Sequence, residues 1–491
     1  MPAPSDLVHE LSTTTGTGNC TLVNVNGKRS FNTAFSTGGT DLFDYYISNR
    51  DAAEWERGTG HLSASTTLVR DTVIASSNAN AAVNFSAGTK DVTNDVPAAK
   101  QLRNETQSLS SSEQAVVRAN LYASPFDAMA FDGMQVNGGV DISQELLSVG
   151  ATLTNNTNRY IADCWESMYN HGAATAVVTS AQVANASFPS TLNGYSFGHQ
   201  VKATTAISSP ANGDFARHRH QIEGQRVARL AWGTSGAQSI SVALQLYSTA
   251  SGTAFLRVTN SAGNRAYHTE ITVSAGWNFV TKTIAGDTSG TWQTFNASGI
   301  ILDVYVSGKT ASPATPDAWG ATPAIQTTNS TNLLGTNNNT TIVTGLFVVP
   351  GIELPNLARH QFLLRPHDTE MILCQRYLEK SAFITTAILN ASDSSFGALT
   401  FDTTIANNDY YDRVFYKVRK RNTSTVTTYP FTTPSNTARS SNSSGTDYAA
   451  SSAVVAFSSE IGFWVQNQSG GALTVTGGGL ILYGWYADSR F

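Results

Sequence analysis

Segments in which apolar and polar side chains alternate recur along almost the whole chain of 491 residues. In one clear example, Val242 and Leu244 fall on one face of a strand and Tyr247 falls on the other. Glycine, asparagine, serine and proline residues separate such segments at short intervals, which is typical of turns between antiparallel strands. The pattern predicts an all-β protein that consists of several small antiparallel β-domains in series.

The composition excludes several classes of protein. Charged residues make up 13% of the chain, about half the usual share for a globular protein. Because 41% of the residues are hydrophobic and 10% are aromatic, the chain can form cores and is not expected to be disordered. No apolar run approaches the roughly 20 residues of a membrane-spanning helix. The net charge of −5, without a basic stripe, argues against nucleic-acid binding. We therefore expect no membrane insertion and no nucleic-acid partner.

The cysteine and histidine residues indicate no metal site. Cys20, Cys164 and Cys374 are an odd number and lie far apart, so they form neither a metal-binding spacing nor a disulfide framework. Each is predicted to pack as a small buried apolar side chain. His218 and His220 alternate and would share one side of a strand, but without a third ligand a packed or solvated pair is the favoured interpretation. We expect no metal and no cofactor.

The first hundred residues carry a long stretch that resembles a known module. The run from Trp55 to Val92 (WERGTGHLSASTTLVRDTVIASSNANAAVNFSAGTKDV) and the earlier TTTGTG at Thr13–Gly18 are similar to a module near the N-termini of many phage tail proteins. In that pattern the tryptophan starts a strand. Ser124–Glu145 looks like the connector that follows the module in this family. The resemblance implies attachment to a virion.

The middle of the chain resembles a second domain of the same family. Three stretches carry this resemblance, at His220–Leu246, Ala275–Trp292 and Gly345–Leu354. In this order they are similar to the jelly-roll, carbohydrate-binding-module-like domain of phage tail fibres. Many short strands at regular spacing favour the same fold, a β-sandwich. Beyond it, a short helix is predicted, in which Asp368 can cap the free amides of the first turn. Met371, Cys374 and Leu378 form an apolar stripe at helical spacing.

These observations predict the domain organisation. The expected parts are an N-terminal β virion-attachment module (1–105), a connector (106–155), a jelly-roll domain (156–355), a short helical linker (356–380) and a C-terminal β-domain (381–491).

Aromatic residues are the candidate contacts with sugars. Aromatic faces stack on the C–H surfaces of pyranose rings. The candidates selected for glycan binding are Trp319, Trp292, Tyr410 and Tyr411, out of a larger set that also holds Trp232, Trp277, Trp464 and Trp485. Trp319 lies in a Pro/Ala/Gly loop and is therefore the first candidate for an exposed ring, and Trp277 is expected to lie in the core. The Ser/Asn/Gly-rich loop from Ser435 to Ser452 is a further place where recognition is expected.

No catalytic motif is present in the sequence. There is no G-x-S-x-G elbow and no phosphate loop, and His9-Glu10 lacks the second histidine of a zinc-binding helix. Glycoside cleavage needs only two carboxylates, which distant strands can supply. Spikes with that activity are usually long repetitive β-helices, and no such repeat is visible. We therefore expect no enzyme and no catalytic residues.

Together these features predict a tail-fibre-like virion protein of a tailed bacteriophage that attaches to host cell-surface glycan. The resemblance implies a homotrimer, with the N-terminal module bound to other tail or neck proteins. MPAPSDLVHE at the start has neither the basic nor the apolar region of a secretory signal. This fits assembly in the host bacterial cytoplasm and release in a virion. A collar, neck or head fibre that binds no receptor is the first alternative, and a glycan-cleaving tail spike is the second. A cellular carbohydrate-binding module is a weaker option.

Overall fold

The protein has an all-β architecture with a few short helices, which confirms the predicted fold class. The computed structural model describes residues 5–39, 41–94, 116–117, 133–172, 176–352, 357–381, 399–402, 411–430, 440–442, 447–448, 454–466 and 480–491. The chain divides into two compact units, Met1–Ser110 and Ser111–Phe491. No helix within the described ranges is long and apolar enough to cross a membrane.

The first unit contains one antiparallel sheet of seven strands. These are β1 (His9–Ser12), β2 (Cys20–Thr21), β3 (Val23–Asn24), β4 (Phe43–Asn49), β5 (Trp55–Ala64), β6 (Thr67–Ser76) and β7 (Lys90–Thr93), in the order β2-β6-β5-β4-β7-β1-β3. A single-turn helix, α1 (Phe31–Ala34), packs its buried Phe31 against Phe43 and Phe35. The rings of Phe35 and Phe43 stack with centroids 4.4 Å apart.

The contacts at the start of strand β5 account for the sequence Trp55-Glu56-Arg57-Gly58. Trp55 opens the strand, as the family pattern implies. Glu56 is fully buried and accepts hydrogen bonds from the Tyr45 hydroxyl at 2.7 Å and from Arg70 Nη1 at 2.9 Å. A Cβ atom at Gly58 would lie 2.3 Å from the Thr72 carbonyl oxygen and 2.6 Å from the Tyr45 hydroxyl oxygen. The close approach of Tyr45 to its carboxylate partner therefore requires a glycine.

Two elements that the local sequence predicts in this unit are not formed: a hairpin closed by the turn Asn26-Gly27, and a strand over Ala81–Phe85. Asn26-Gly27 forms a turn, with Gly27 at φ +77°, but it does not close a hairpin. The strand before it, β3, pairs with β1 instead. The stretch Ala81–Phe85 is not a strand, and only Phe85 forms an isolated bridge, to Gly16. Both differences come from pairing between distant segments, which local alternation does not specify.

The second unit is built around a sandwich of two antiparallel sheets. Its strands are β8 (Ala151–Thr152), β9 (Arg159–Ala162), β10 (Trp165–Asn170), β11 (Val177–Ala184), β12 (Phe197–Thr205), β13 (Phe215–Glu223), β14 (Ile240–Ser248), β15 (Gly252–Thr259), β16 (Ala266–Val273), β17 (Gly276–Ile284), β18 (Ser298–Gly308), β19 (Ala318–Gly320) and β20 (Thr340–Pro350). One sheet has the order β19-β16-β15-β18-β13-β10-β9 and the other β17-β14-β20-β12-β11-β8. A short helix, α2 (Gly224–Val227), follows β13.

The two sheets enclose the main apolar core. Val242 and Leu244 lie in it as predicted, with Leu302 and Val304 of β18 from the other sheet. Met134 lies in the same core, 1% exposed, together with Val140 and Leu146. The described part of the predicted connector, residues 133–155, thus packs with the sandwich, because its apolar side chains complete the core.

The remainder of the second unit consists of short helices and two small sheets. The helices are α3 (Leu357–His360) and α4 (His367–Gln375), and the strands are β21 (Leu378–Lys380), β22 (Leu399–Asp402), β23 (Tyr411–Phe415), β24 (Thr425–Pro430), β25 (Ser440–Asn442), β26 (Asp447–Tyr448), β27 (Val454–Ser458), β28 (Gly462–Gln466) and β29 (Leu480–Asp488). Strand β29 pairs with β21, β22, β24 and β25, and β25 pairs with β26. A separate sheet has the order β23-β28-β27.

Helix α4 differs from its prediction at both ends. Pro366, rather than Asp368, occupies the N-cap position, and the helix ends at Gln375. Leu378, expected on the helix stripe, belongs to β21, where it pairs with Asp488 of β29. The strand partner therefore ends the helix. The helix is tied to the sandwich because Arg376 and Tyr377 both donate hydrogen bonds to the buried carboxylate of Glu223.

A buried group of charges lies on the face of the β18 sheet that points away from the main core. The carboxylate of Asp303 on β18 is fully buried and pairs with Arg219 at 2.7 Å and Arg257 at 2.6 Å. Burial alone would raise the pKa of Asp303, but the guanidinium groups of Arg217, Arg219 and Arg257 hold it well below its usual range. The rings of Tyr305 and Phe255 stack beside this group with centroids 4.8 Å apart.

Histidine side chains cross the interior of the sandwich. His218 and His220 share one side of β13, as predicted, and both are packed in the core. His218 Nδ1 lies 3.3 Å from His199 Nδ1 on the opposite sheet, and its Nε2 lies 2.9 Å from the Thr341 hydroxyl. Burial lowers the pKa of His218 and of His220 to about 3, and burial with repulsion from His218 lowers the pKa of His199 well below its usual value. These rings are therefore neutral in the folded protein.

The neutral histidines should make the second unit sensitive to acid. A histidine with a lowered pKa in the folded state stabilises the fold fully above about pH 6.5, the unfolded value. This stability is lost as the pH falls from there towards 3. We expect the urea midpoint of the second unit to fall between pH 7 and pH 5. In His218→Asn, unfolding should take up fewer protons, by up to about one per molecule, so the stability should fall less steeply with decreasing pH.

A matched control for this experiment is His61→Asn in the first unit, where the ring is partly exposed and pairs with Asp71 at 2.7 Å. This variant should leave the pH dependence of the second unit unchanged. If His218→Asn keeps the full wild-type dependence, the buried histidine is not its source.

Candidate functional site

The sheet β23-β28-β27 has apolar side chains on both faces. Its inner face carries Val414, Phe463 and Val465, which pack against Trp485 in a small core. An antiparallel sheet with one face in the core normally presents polar side chains on the other face. Here the outer face is also largely apolar, although the described residues do not bury it in a core.

We call this outer surface the C-terminal aromatic face and define it by Arg413, Phe415, Phe457 and Trp464. The exposed fractions are 72% for Phe415, 68% for Phe457 and 37% for Trp464. Arg413 and Trp464 are partners in the strand register, and the guanidinium carbon lies 4.3 Å from the centre of the indole ring. Phe457 meets Trp464 edge to face with centroids 5.8 Å apart.

A glycine opens a hollow in this face. Gly462 pairs with Phe415, and a Cβ atom there would lie 2.3 Å from the Val414 carbonyl oxygen. The hollow has a volume of about 160 Å³ and is lined by the four residues of the face together with the edge residues Ser458, Ser459 and Ile461. Ser459 accepts hydrogen bonds from the amides of Ile461 and Gly462, which fixes the loop at the edge.

The arrangement suits a ligand that is flat and apolar on one side and polar at its edges. Exposed aromatic rings provide a surface for C–H groups. The guanidinium of Arg413 stacks on Trp464, so its hydrogen-bond donors already have a defined position before a ligand binds. Ser458 and Ser459 are among the residues that line the hollow. Contiguous exposed apolar surface of this kind usually marks an interaction site.

The candidate residues from the C-terminal sequence meet this face only in part. Tyr411 is the first residue of β23 and pairs with Gln466, and Trp464 is a central member of the face. Trp485 is 5% exposed and belongs to the core behind it. Tyr410 lies outside the described residues, as does most of the loop 435–452.

A second aromatic group lies at one end of the sandwich. Trp319 on β19 is half-buried and meets Trp232 and Trp292 at nearly right angles, with centroids 5.4 and 5.6 Å away. Its Nε1 donates a hydrogen bond to the Ala285 carbonyl at 2.8 Å. The guanidinium of Arg265 lies 5.9 Å from the Trp319 ring. Trp319 is therefore a fixed ring with part of its surface in solvent.

The polar neighbours of Trp319 are also fixed. Arg265 Nε and Nη2 donate hydrogen bonds to the two carboxylate oxygens of Asp287, at 2.7 and 2.6 Å. These hydrogen bonds raise the pKa of Arg265. Trp292 is 6% exposed and its Nε1 faces the same carboxylate and the Ser289 carbonyl. Trp292 thus supports Trp319 from the core and does not itself form the surface.

Trp277 was expected in the core and lies instead half-buried on the outer side of β17. It packs against Phe188 and Tyr247 in a small cluster, and its Nε1 donates to the Ser190 carbonyl at 2.8 Å. The chain segment that follows β11 covers it, so it contributes to packing outside the main core.

The sequence interpretation missed Arg413, Phe415 and Phe457. One pattern could have identified them. Val414-Phe415-Tyr416 and Phe463-Trp464-Val465 are runs of large apolar residues without alternation, which indicates strands with two apolar faces. The arrangement of these strands in a small sheet, with one of those faces turned to solvent, comes from the structure.

Within the described part of the chain, no group of three or more histidine, cysteine, aspartate or glutamate side chains is placed to hold a metal ion. His218 and His199 are neighbours in the core, but their other ring nitrogens are bound to hydroxyl groups.

No protein-family model matches the chain, and no curated protein is significantly similar to it. Among solved structures, the enzymatically active domain of Bacteriophage CBA120 tailspike protein 4 is 12% identical, with a TM-score of 0.24, and the match covers 45% of this chain and 22% of that one. A family 11 carbohydrate-binding module of a Clostridium thermocellum cellulosomal cellulase is 10% identical, with a TM-score of 0.22 and 42% and 97% covered. A tandem family 22 module from Paenibacillus barcinonensis is 12% identical, with a TM-score of 0.23 and 70% and 78% covered. Similarities at this level do not determine substrate, activity or assembly.

The structural role of Trp292 can be tested by removing its side chain. We expect Trp292→Ala to lower the free energy of unfolding of the second unit by about 3–5 kcal/mol, because a large buried ring leaves a cavity. Phe295→Ala, which removes a ring that is 75% exposed, is the control and should change it by less than about 0.5 kcal/mol. Denaturant unfolding measures both values. Wild-type stability in Trp292→Ala would contradict the buried placement.

Proposed function

We propose that the protein is a tail-fibre-like structural protein of a tailed bacteriophage that attaches to glycan on the host cell surface. The observation that carries this proposal is the C-terminal aromatic face, with two phenylalanine rings about 70% exposed beside a tryptophan that is covered by an arginine. Sugars present C–H surfaces that stack on such rings and hydroxyl groups that bond to the donors around them. The phage assignment rests on the resemblance of the run from Trp55 to Val92.

The chemistry of the surface fits adhesion through many weak contacts. A hollow of about 160 Å³ holds only a small part of a polysaccharide, so the affinity of one site should be low. Several copies that bind the same polymer at once would raise the overall affinity. This agrees with a homotrimer, which the family resemblance implies. The half-buried Trp319 provides a second candidate contact on the same unit.

The first compact unit is assigned to attachment within the virion. It has its own sheet and its own apolar core, so it can fold around its own buried side chains. Its resemblance to N-terminal modules of phage tail proteins implies binding to other tail or neck proteins. In this proposal the protein is assembled in the host cytoplasm and resides in the virion.

The glycan-binding proposal is tested with labelled full-length protein and cells of candidate bacterial hosts, with free surface polysaccharide as competitor. Trp464→Ala should weaken saturable binding by about fivefold, because the loss of one stacked ring costs about 1 kcal/mol. Trp55→Ala is the matched control, since Trp55 is a 45% exposed tryptophan of the first unit, and it should bind like wild type. Trp319→Ala tests the second candidate contact.

Three outcomes would change this assignment. If the folded wild-type protein binds no candidate host, a structural collar, neck or head fibre replaces the adhesin. If Trp464→Ala binds like wild type while Trp319→Ala does not, binding moves to the sandwich. If the polysaccharide is shortened during incubation, the protein is a glycan-cleaving spike.

The proposed homotrimer predicts that the native assembly has the molecular mass of three chains in solution.

A further inference from the structure

Two of the three cysteines meet in the second unit. Cys164 occupies the two-residue turn between β9 and β10 with φ +64°, and Cys374 lies in the last turn of α4. Their exposed fractions are 6% and 0%, and both are free thiols. They belong to the same small apolar cluster, with Val136, Ile142 and Tyr377. No sequence pattern pairs them, because they are far apart along the chain.

Hydrogen bonds connect the two chain segments that carry these cysteines. On the sandwich side, the amide of Asp163 donates to the Ile142 carbonyl at 3.0 Å, and Asn137 Nδ2 donates to the Asp163 carbonyl at 2.8 Å. On the helix side, the Glu370 carboxylate accepts from the amide of the same Asn137 at 2.5 Å. One asparagine therefore connects the turn that carries Cys164 with the helix that carries Cys374.

The two thiols also interact with each other. Burial raises the pKa of the Cys374 thiol well above its usual value, and the neighbouring Cys164 side chain raises it further. A disulfide requires the two sulfur atoms to approach to about 2.05 Å. Both side chains lie in one small buried cluster, so rotation about their Cα–Cβ bonds is the movement that would bring the two sulfur atoms together.

We propose that Cys164 and Cys374 form an intramolecular disulfide when the protein meets a low-molecular-weight disulfide. The Cys164 thiolate attacks one sulfur of the small disulfide, forms a mixed disulfide and expels one small thiolate. The Cys374 thiolate then attacks the Cys164 sulfur and expels the second small thiolate. The two protein thiols are oxidised and lose two protons, and the small disulfide is reduced to two small thiols that take up these protons.

The surroundings of the pair determine how it reacts. Only the thiolate is nucleophilic, and a buried thiol with a raised pKa is rarely ionised. Oxidation of the folded protein should therefore be slow and should depend on local opening, whereas oxidation during refolding should be fast. The bond would join the β9–β10 turn of the sandwich to the helix that leads into the C-terminal sheets. Because the closed loop is long, the bond should stabilise the second unit by restricting its unfolded chain.

The test uses the full-length protein in two arms, native incubation with oxidised glutathione and refolding from urea in a glutathione redox buffer. Free thiols are counted after denaturation, and peptides are mapped by mass spectrometry without reduction. We expect a loss of two of the three thiols and a peptide that links Cys164 to Cys374. The melting temperature of the second unit should rise on oxidation and return when a reductant is added.

Single variants identify the pair. Cys20→Ser removes the buried cysteine of the first unit and should still lose two thiols on oxidation. Cys164→Ser and Cys374→Ser should each lose none and should show no rise in melting temperature. Three free thiols in both arms would overturn the proposal, and so would a linkage that involves Cys20 or joins two chains. The refolding arm decides the question even if the native protein does not react.

Discussion

The packing of two large antiparallel sheets against each other is the interaction on which the second unit depends. Strands from β8 to β20 contribute their inner apolar side chains to one core, and residues 133–150 complete it. This core also encloses polar groups. His199 and His218 can remain there only as neutral rings bound to each other and to hydroxyl groups, because an isolated charge in such surroundings is too costly. Acid sensitivity is thus a consequence of the same packing that forms the sandwich.

The chain has few charged residues, and several of its buried carboxylates are paired with arginines. Glu56 is paired with Arg70, Asp303 with arginines on neighbouring strands, and Glu223 with Arg376. Glu56 and Arg70 lie on the adjacent strands β5 and β6, whereas the pairs of Asp303 and Glu223 join segments that are more distant in the sequence. In each case, removal of one partner would leave a buried charge without compensation. The pairs around Glu223 and Asn137 also explain why the predicted linker belongs to the sandwich unit: its helix is bound to β13 and to the segment before β8.

The C-terminal aromatic face is the place where the described structure departs from the usual arrangement of a half-buried sheet. The inner residues Val414, Phe463 and Val465 satisfy the requirements of folding. Phe415 and Phe457 contribute little to that core, and exposed apolar side chains favour aggregation. Their exposure is therefore the reason for which a ligand is proposed. Trp319 is different, since its supports in the core make it rigid and leave only part of the ring exposed. The two surfaces therefore offer separate tests of where recognition occurs.

The all-β class, part of the sandwich such as strand β14, and the inward face of Val242 and Leu244 could be predicted from the sequence, because alternation is a local property of a strand. The sequence also identified Trp464 and Tyr411 as candidates in the region of the aromatic face. Other features follow from the three-dimensional packing alone: β3 pairs with β1, β29 ends helix α4 at Gln375, and Trp292 is covered while Phe415 is not. The packing also brings Cys164 to Cys374. These features depend on which distant segments share a core, and that choice is made by burial summed over the whole unit rather than by any local pattern.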